Sequence, residues 1–427
     1  MRSQFRGLFL CAPLAWAALC FPAAGARAQP AAAAAAASAI LTLDQALGLA
    51  LTHSPELAGA RLELQALEGA ELQAGARPNP ELGLLVEDLR GASRTTTLQW
   101  SQPIELGGKR AARLGAAARA REQAAVALQA RQAELRAAVR SAFFELLGAQ
   151  EQLRLAQAAV ELARQAAGIA ERRLQAGKVP PLELARAQVA EAGARAELEQ
   201  ARSELLLARQ RLSALWGQGR ADFERAEGDA GALPELPGEQ RLDALLAQAP
   251  ALRLAQLDIV RRQALSEGER ARRVPDLTLT LGAKRAAEPG RTQAVLGLSL
   301  PLPLLDGNQG NLREALRREE QAREALGATR LRLQAEVARS LERLRLSRRQ
   351  VQLLRGEMLP TAQSAYEAAL KGYELGKFAF IDVLDAQRSL FQLRQQLLRD
   401  STEAHRAAAE LERLLGPQAL AAGPHQE

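Results

Sequence analysis

Few side chains in this 427-residue chain are of a kind that does chemistry, and those that stand out are carboxylates. Asp382 and Asp385 lie three residues apart in the segment 372–387, GYELGKFAFIDVLDAQ. That spacing sets both on one face of a helix, where they make a local negative field that favours cations over anions. As acids near a helix N-terminus they would instead complement the macrodipole, which accounts for Asp382 better than for Asp385. The other candidates are scattered. His53, His405 and His425 are the histidines, and Met358 is the one methionine after Met1. A zinc or copper site needs several such ligands close together, so no metal centre and no cofactor are expected. GGKR at 107–110 is too short for a phosphate loop and reads as a hinge into a helix. No catalytic set emerges, and the chain is not expected to be an enzyme.

The elements that would position the two aspartates begin to show at the chain's start. Arg2 and Arg6 precede an apolar run from Leu8 to Phe21, and Ala26-Arg27-Ala28 places small residues where signal peptidase reads. Residues 1–28 are therefore expected to be a signal peptide, with 29–42 a flexible N-terminal segment that includes the Ala31–Ala37 tract. Cys20 follows Leu19, which disfavours lipidation. Cys11 and Cys20, the two cysteines, leave with the leader, so the mature chain can form no disulfide. Loss of Arg2, Arg6 and Arg27 also lowers the net charge from +7 to +4. The remaining charges alternate in sign along helices and carry few aromatics between them, so nucleic acid is not expected as a partner.

The chain contains itself twice. Pro55 pairs with Pro250, Pro80 with Pro275, Pro103 with Pro301, Gly177-Lys178 with Gly376-Lys377, and Ala187-Gln188 with Ala386-Gln387, in order and at a nearly constant separation. The first repeat spans 43–217 and the second 240–416, with a Gly-, Asp- and Pro-rich linker at 218–239 and a tail at 417–427. Each repeat reads as short helices, a β-hairpin (81–103; 276–304), a very long helix (104–176; 308–375), a Gly-Lys turn and a medium helix (180–217; 379–416). Val139, Leu146, Leu153, Val160, Ala167 and Leu174 step by seven with alanines between them, a coiled-coil pattern with closely set axes. Pro360 should kink the second long helix. The short and medium helices together match the long one in length, so each repeat should present two columns.

In the hairpins the apolar period changes from 3.5 to 2: Leu82, Leu84 and Val86 alternate with Glu81, Gly83 and Leu85, and Leu277, Leu279 and Leu281 with Thr278, Thr280 and Gly282. Runs of this length suit a tilted strand crossing a bilayer, with Trp100 as a membrane-interface anchor. Four strands cannot close a barrel alone, and an open sheet edge in lipid is unsatisfied. Three copies would close it, which predicts a mainly α protein with a twelve-stranded β-barrel and a helical coiled-coil barrel, assembled as a homotrimer.

The signal peptide, the repeat, RPNPEL, QPIELGGKRAAR, PLPLLDGNQGN and above all YELGKFAFIDVLDAQRSLF resemble the TolC family of outer-membrane efflux ducts, and within it the CzcC-like heavy-metal branch. The resemblance covers nearly all of the mature chain. It implies a trimeric duct anchored in outer-membrane lipid and crossing the periplasm, docked to a periplasmic adaptor protein and an inner-membrane pump of the resistance-nodulation-division type. It places Asp382 and Asp385 in acidic rings that constrict the periplasmic aperture, and Tyr373 and Glu183 at positions that hold the aperture closed. The family's acid at the Glu183 position is usually Asp, and an arginine that some members carry after the second turn is Phe378 here. Ala176, Gly177, Lys178 and Val179, with Leu375, Gly376, Lys377 and Phe378, match the adaptor-docking tips. The cargo implied is divalent heavy-metal cations. Drugs or a secreted polypeptide through the same duct, or a periplasmic coiled-coil adaptor or scaffold, are the alternatives.

Overall fold

A computed structural model describes residues 40–88, 93–287 and 290–419. The expected leader at 1–28, residues 29–39 and His425 lie outside them. Two short strands, β1 (Ile40–Leu41) and β4 (Arg225–Ala226), pair in parallel. The first repeat then runs α1 (Leu43–His53), α2 (Pro55–Gly75), β2 (Glu81–Glu87), β3 (Thr95–Ile104), α3 (Lys109–Gln175) and α4 (Pro181–Ala214). The second runs α5 (Glu239–Ala247), α6 (Pro250–Arg272), β5 (Leu277–Ala286), β6 (Thr292–Ser299), α7 (Gln309–Leu353), α8 (Leu359–Glu374) and α9 (Phe380–Leu415).

Helix α3 is 67 residues long, about 100 Å of helix. It starts where Gly107 and Gly108 take left-handed backbone, with φ of 67° and 76°. A Cβ on Gly107 would stand 2.6 Å from that of Val274, so only glycine fits this hinge. Its heptad faces the core: Val139, Leu146, Ala156, Ala163, Ala167 and Ala170 are buried. In the second repeat a π turn at Leu354–Met358 separates α7 from α8. The interruption falls just before Pro360, which has no N–H to give and whose ring cannot sit against a carbonyl four residues back.

The shorter helices stack end to end along the long ones. Gly217, just past α4, has φ 83°, and a Cβ there would lie 3.1 Å from Pro55 Cγ at the start of α2. In the second repeat Ala249 and Leu252, at the start of α6, pack with Leu411, Leu414 and Leu415 at the end of α9. Midway along the columns lies the thickest apolar core, where Leu41, Leu57, Val139, Phe143, Leu146, Leu212 and Trp216 are buried together. Gln150 clips the β1–β4 pair to α3, accepting from Ala226 N–H at 2.7 Å and donating to Ala226 O at 2.9 Å. Ile40 and Leu41 thus lie in a strand inside the segment read as flexible to residue 42, and Ala419 is buried inside the segment read as a tail from 417. Two-residue strands lie below what side-chain periodicity can signal.

Strands β2-β3-β5-β6 form one antiparallel sheet in that order. Register places Leu82, Trp100, Leu281 and Leu296 in one row and Leu84, Leu98, Ala283 and Ala294 in the next. The opposite face carries Gly83, Gln99, Gly282 and Val295 and, in the neighbouring rows, Leu85, Thr97, Lys284, Ser101 and Thr280. Leu82, Leu84, Leu296 and Leu298 are each about two-thirds exposed or more (74%, 67%, 73%, 69%). One face of the sheet is thus largely apolar and uncovered while the other is mostly polar. The second hairpin is shorter than the expected 276–304. Strand β6 stops at Ser299 because Pro301 and Pro303 cannot donate to a ladder, and Leu302, Leu304 and Leu305 stand exposed beyond it. Among the described residues no helix is long and apolar enough to cross a membrane.

Candidate functional site at the helix tips

Both Gly-Lys turns close their helices in the same way. After α3, Gly177 has φ 63°, its N–H donates to Leu174 O and the Lys178 N–H to Arg173 O. After α8, Gly376 has φ 72°, its N–H donates to Tyr373 O and the Lys377 N–H to Gly372 O. These are Schellman turns, in which glycine bears the left-handed residue and the last carbonyls regain donors. Ala176, Gly177 and Lys178 are exposed and Val179 half-buried, while Leu375, Gly376, Lys377 and Phe378 are all exposed. Phe378 is nonetheless placed. Its ring lies over Gly372, where a Cβ would meet ring carbon Cδ2 at 2.1 Å, and half its surface remains open.

Above the turns, four helix ends converge on Tyr373, which is 2% exposed. Its hydroxyl donates to Glu183 Oε1 on α4 at 2.8 Å, and its ring leans on Phe380 of α9 with centroids 5.4 Å apart. Arg173 of α3 donates from Nη1 to the Tyr373 carbonyl at 2.9 Å and holds its guanidinium carbon 4.4 Å from the ring centroid. Burial first, and then the Glu183 carboxylate, push the tyrosine hydroxyl up to about 12. It stays protonated, and a donor, throughout the physiological range. Ala166, Ala167 and Ala170 of α3 leave room for this cluster, and Val383 and Leu384 seal it.

Glu183 and Asp382 occupy the same position in the two repeats, the third residue of a helix, yet they do different things. Asp382 Oδ2 accepts from the Ala379 N–H at 3.0 Å, capping its own helix. At the corresponding place before α4 stands Pro180, which has no N–H, so Glu183 has no backbone donor to cap and is free for Tyr373. Asp385 is exposed, with Arg388 Nη1 3.9 Å away as a loose partner. The two aspartates share the exposed side of α9 while Val383 and Leu384 face inward.

Elsewhere, Trp100 sits on the apolar sheet face near the middle of β3 and is 38% exposed. Exposed His53 contacts Thr52 Oγ1 at 2.7 Å. His405 is buried, stacked on Phe144 at 3.4 Å, with Nε2 3.2 Å from Ala230 O. Among the described residues no three His, Cys, Asp or Glu side chains gather as a metal site. Arg173 was not singled out in the sequence, since an arginine in a last helical turn ordinarily serves its own helix dipole.

A duplicated helical column thus carries a sheet with one bare apolar face. The chain belongs to the outer membrane efflux protein family, whose model matches residues 46–218 and 242–417, one match to each repeat. It is 43% identical to the cobalt-zinc-cadmium resistance protein CzcC of Cupriavidus metallidurans, over 88% of this chain and 90% of that one. It is 30% identical to the nickel-cobalt-cadmium resistance protein NccC of Alcaligenes xylosoxydans, over 70% and 67%. The solved structure of CusC, at 22% identity, shares its fold with a TM-score of 0.74, covering 89% of this chain and 92% of that one. The protein is an efflux protein of the outer membrane that reaches into the periplasm. Proteins of this family are transport ducts that work with adaptor and pump partners in tripartite systems.

Proposed function

We propose that this chain is the outer-membrane duct of a tripartite system exporting divalent heavy-metal cations. The observation that carries the cargo is its 43% identity to a cobalt-zinc-cadmium resistance protein along nearly the whole of both chains. The duct is a homotrimer whose three sheets close one barrel in outer-membrane lipid, with Trp100 against the lipid. It is passive: an inner-membrane pump of the resistance-nodulation-division type supplies the energy, and a periplasmic adaptor joins pump to duct at the tips 176–179 and 375–378.

The aperture lies at the same end. Tyr373 and Glu183 tie α8 to α4 and hold it closed, and a tie of this kind, a hydrogen bond to a charged acceptor, is worth about 1.5–3 kcal/mol per protomer. The exposed Asp385, with Asp382 beside it, presents negative charge to the passage and favours cations entering it. The test is a deletion of the gene in its host, challenged with zinc, cobalt and cadmium and in parallel with a drug panel. Sensitivity to the metals, restored by the intact gene, is the expected result; sensitivity to drugs alone would sink the metal cargo and leave the duct.

A further inference from the structure

Many arginines among the described residues meet a carboxylate three or four residues away on their own helix, as Arg154 meets Glu151 and Arg195 meets Glu191. Arg173 does not. Half-buried in the last turn of α3, its guanidinium has a carbonyl and a ring as its partners, and both belong to one residue of the other repeat. The carbonyl of Tyr373 already accepts the Gly376 N–H of the Schellman turn, so Arg173 adds a second donor to the point on which that turn closes. Its cation lies over the ring face while the ring leans on Phe380. The backbone and the plane of Tyr373 are thereby held before its hydroxyl meets Glu183.

We propose that Arg173 is a positioning residue of the aperture lock, fixing Tyr373 so that its hydroxyl reaches Glu183 and coupling the end of α3 to the end of α8. The inference rests on the gate reading above. A planar fork is what the geometry demands: one edge donates to the carbonyl while the face lies on the ring, and a lysine ammonium can serve either partner but not both. The lock is then a relay across the repeats, from α3 through Tyr373 to α4.

Planar-bilayer recordings of the reconstituted full-length protein test this with Arg173→Lys, Arg173→Gln, Tyr373→Phe, Glu183→Gln and the double variant Arg173→Gln with Tyr373→Phe. A severalfold rise in conductance is expected for Tyr373→Phe, Glu183→Gln and Arg173→Gln. Arg173→Lys should rise as well, although the charge is kept. The double variant should match the larger single, because a displaced ring whose hydroxyl is already gone has nothing left to release. Wild-type conductance in both Arg173 variants beside a rise in Tyr373→Phe would overturn the role of Arg173 and leave the gate standing. Full additivity in the double variant would overturn it too, since Arg173 would then act elsewhere. No rise in Tyr373→Phe or Glu183→Gln would remove the gate itself, and the inference with it. Should Arg173→Gln fail to assemble, Arg173→Lys carries the same comparison.

Discussion

Asp382 and Asp385 look alike in the sequence and differ in what their oxygens are free to do. One carboxylate oxygen of Asp382 is committed to the Ala379 N–H, whereas Asp385 stands in solvent with a distant arginine. Asp385→Asn is therefore expected to weaken block of the channel by multivalent cations in planar bilayers. Asp382→Asn should change block less, and Asp382→Ala, which removes the acceptor itself, should loosen the first turn of α9 by about 0.5–2 kcal/mol in thermal melts. Equal effects on block would show that capping does not withdraw Asp382 from the passage. His405 gives the fold a pH dependence that comes from burial of a neutral group. Burial, with Arg140 assisting and the Ala230 carbonyl opposing, lowers it from 6.5 to about 4, so it is neutral in the fold. Between those values the unfolded chain binds the extra proton. The contribution is whole above pH 6.5 and lost as pH falls toward 4, roughly 3 kcal/mol at most. The melting temperature should fall across that window, and His405→Phe, which keeps the stack on Phe144, should flatten the slope. An unchanged slope would place the acid sensitivity in other groups, with Glu410, whose carboxyl the Arg413 guanidinium holds below its usual range, the next to examine.

The helices show how a column is built from pieces shorter than itself. Each long helix must be flanked over its whole length, and the joint between α4 and α2 depends on Gly217, whose left-handed backbone presses on Pro55. Gly217→Val meets both a forbidden φ and Pro55 Cγ, so it should destabilise the fold by roughly 1–3 kcal/mol; a melt within error of the wild type would mean that the ends can part freely. Much of this architecture was legible beforehand because its signals are local and strong. The end of α3 is announced by Gly177 and Pro180, the long helix by the absence of proline, and the strands by a change of period from 3.5 to 2. What stayed hidden depends on distant partners. The β1–β4 pair joins residues whose two-residue runs carry no pattern, and Arg173 reaches a carbonyl 200 residues away. Asp382 was half-legible, since the same residue at the same position suits a cap as well as a charged ring. Pro180 marks a turn in the sequence, and its greater effect is to leave Glu183 without a backbone donor.

Taken as a molecule, one chain leaves two kinds of surface unfinished, and the threefold assembly proposed above would complete both. Strands β2 and β6 are the edges of a four-stranded sheet, each offering a row of backbone donors and acceptors. Beside them the Leu82, Leu84, Leu296 and Leu298 side chains cannot remain in water. Burying the face in lipid without pairing the edges would strand several polar groups in hydrocarbon, at several kcal/mol each. Pairing β2 of one copy with β6 of the next, head to tail around an axis, satisfies the edges and leaves the apolar face outward and the polar face inward. Leu182, Val189 and Leu206 on α4 and Leu331, Leu346 and Leu353 on α7 are further exposed apolar surface, which the trimer proposed above would have to cover. With both cysteines of the sequence at 11 and 20, introduced pairs can be read without background once the leader is removed. Leu296→Cys combined in turn with Leu82→Cys, Leu84→Cys or Val86→Cys should give, on oxidation in membranes, a ladder that ends at the trimer for the one or two pairs in register. A ladder that ends at a dimer, or no cross-link from any pair, would break the ring closure on which the duct depends.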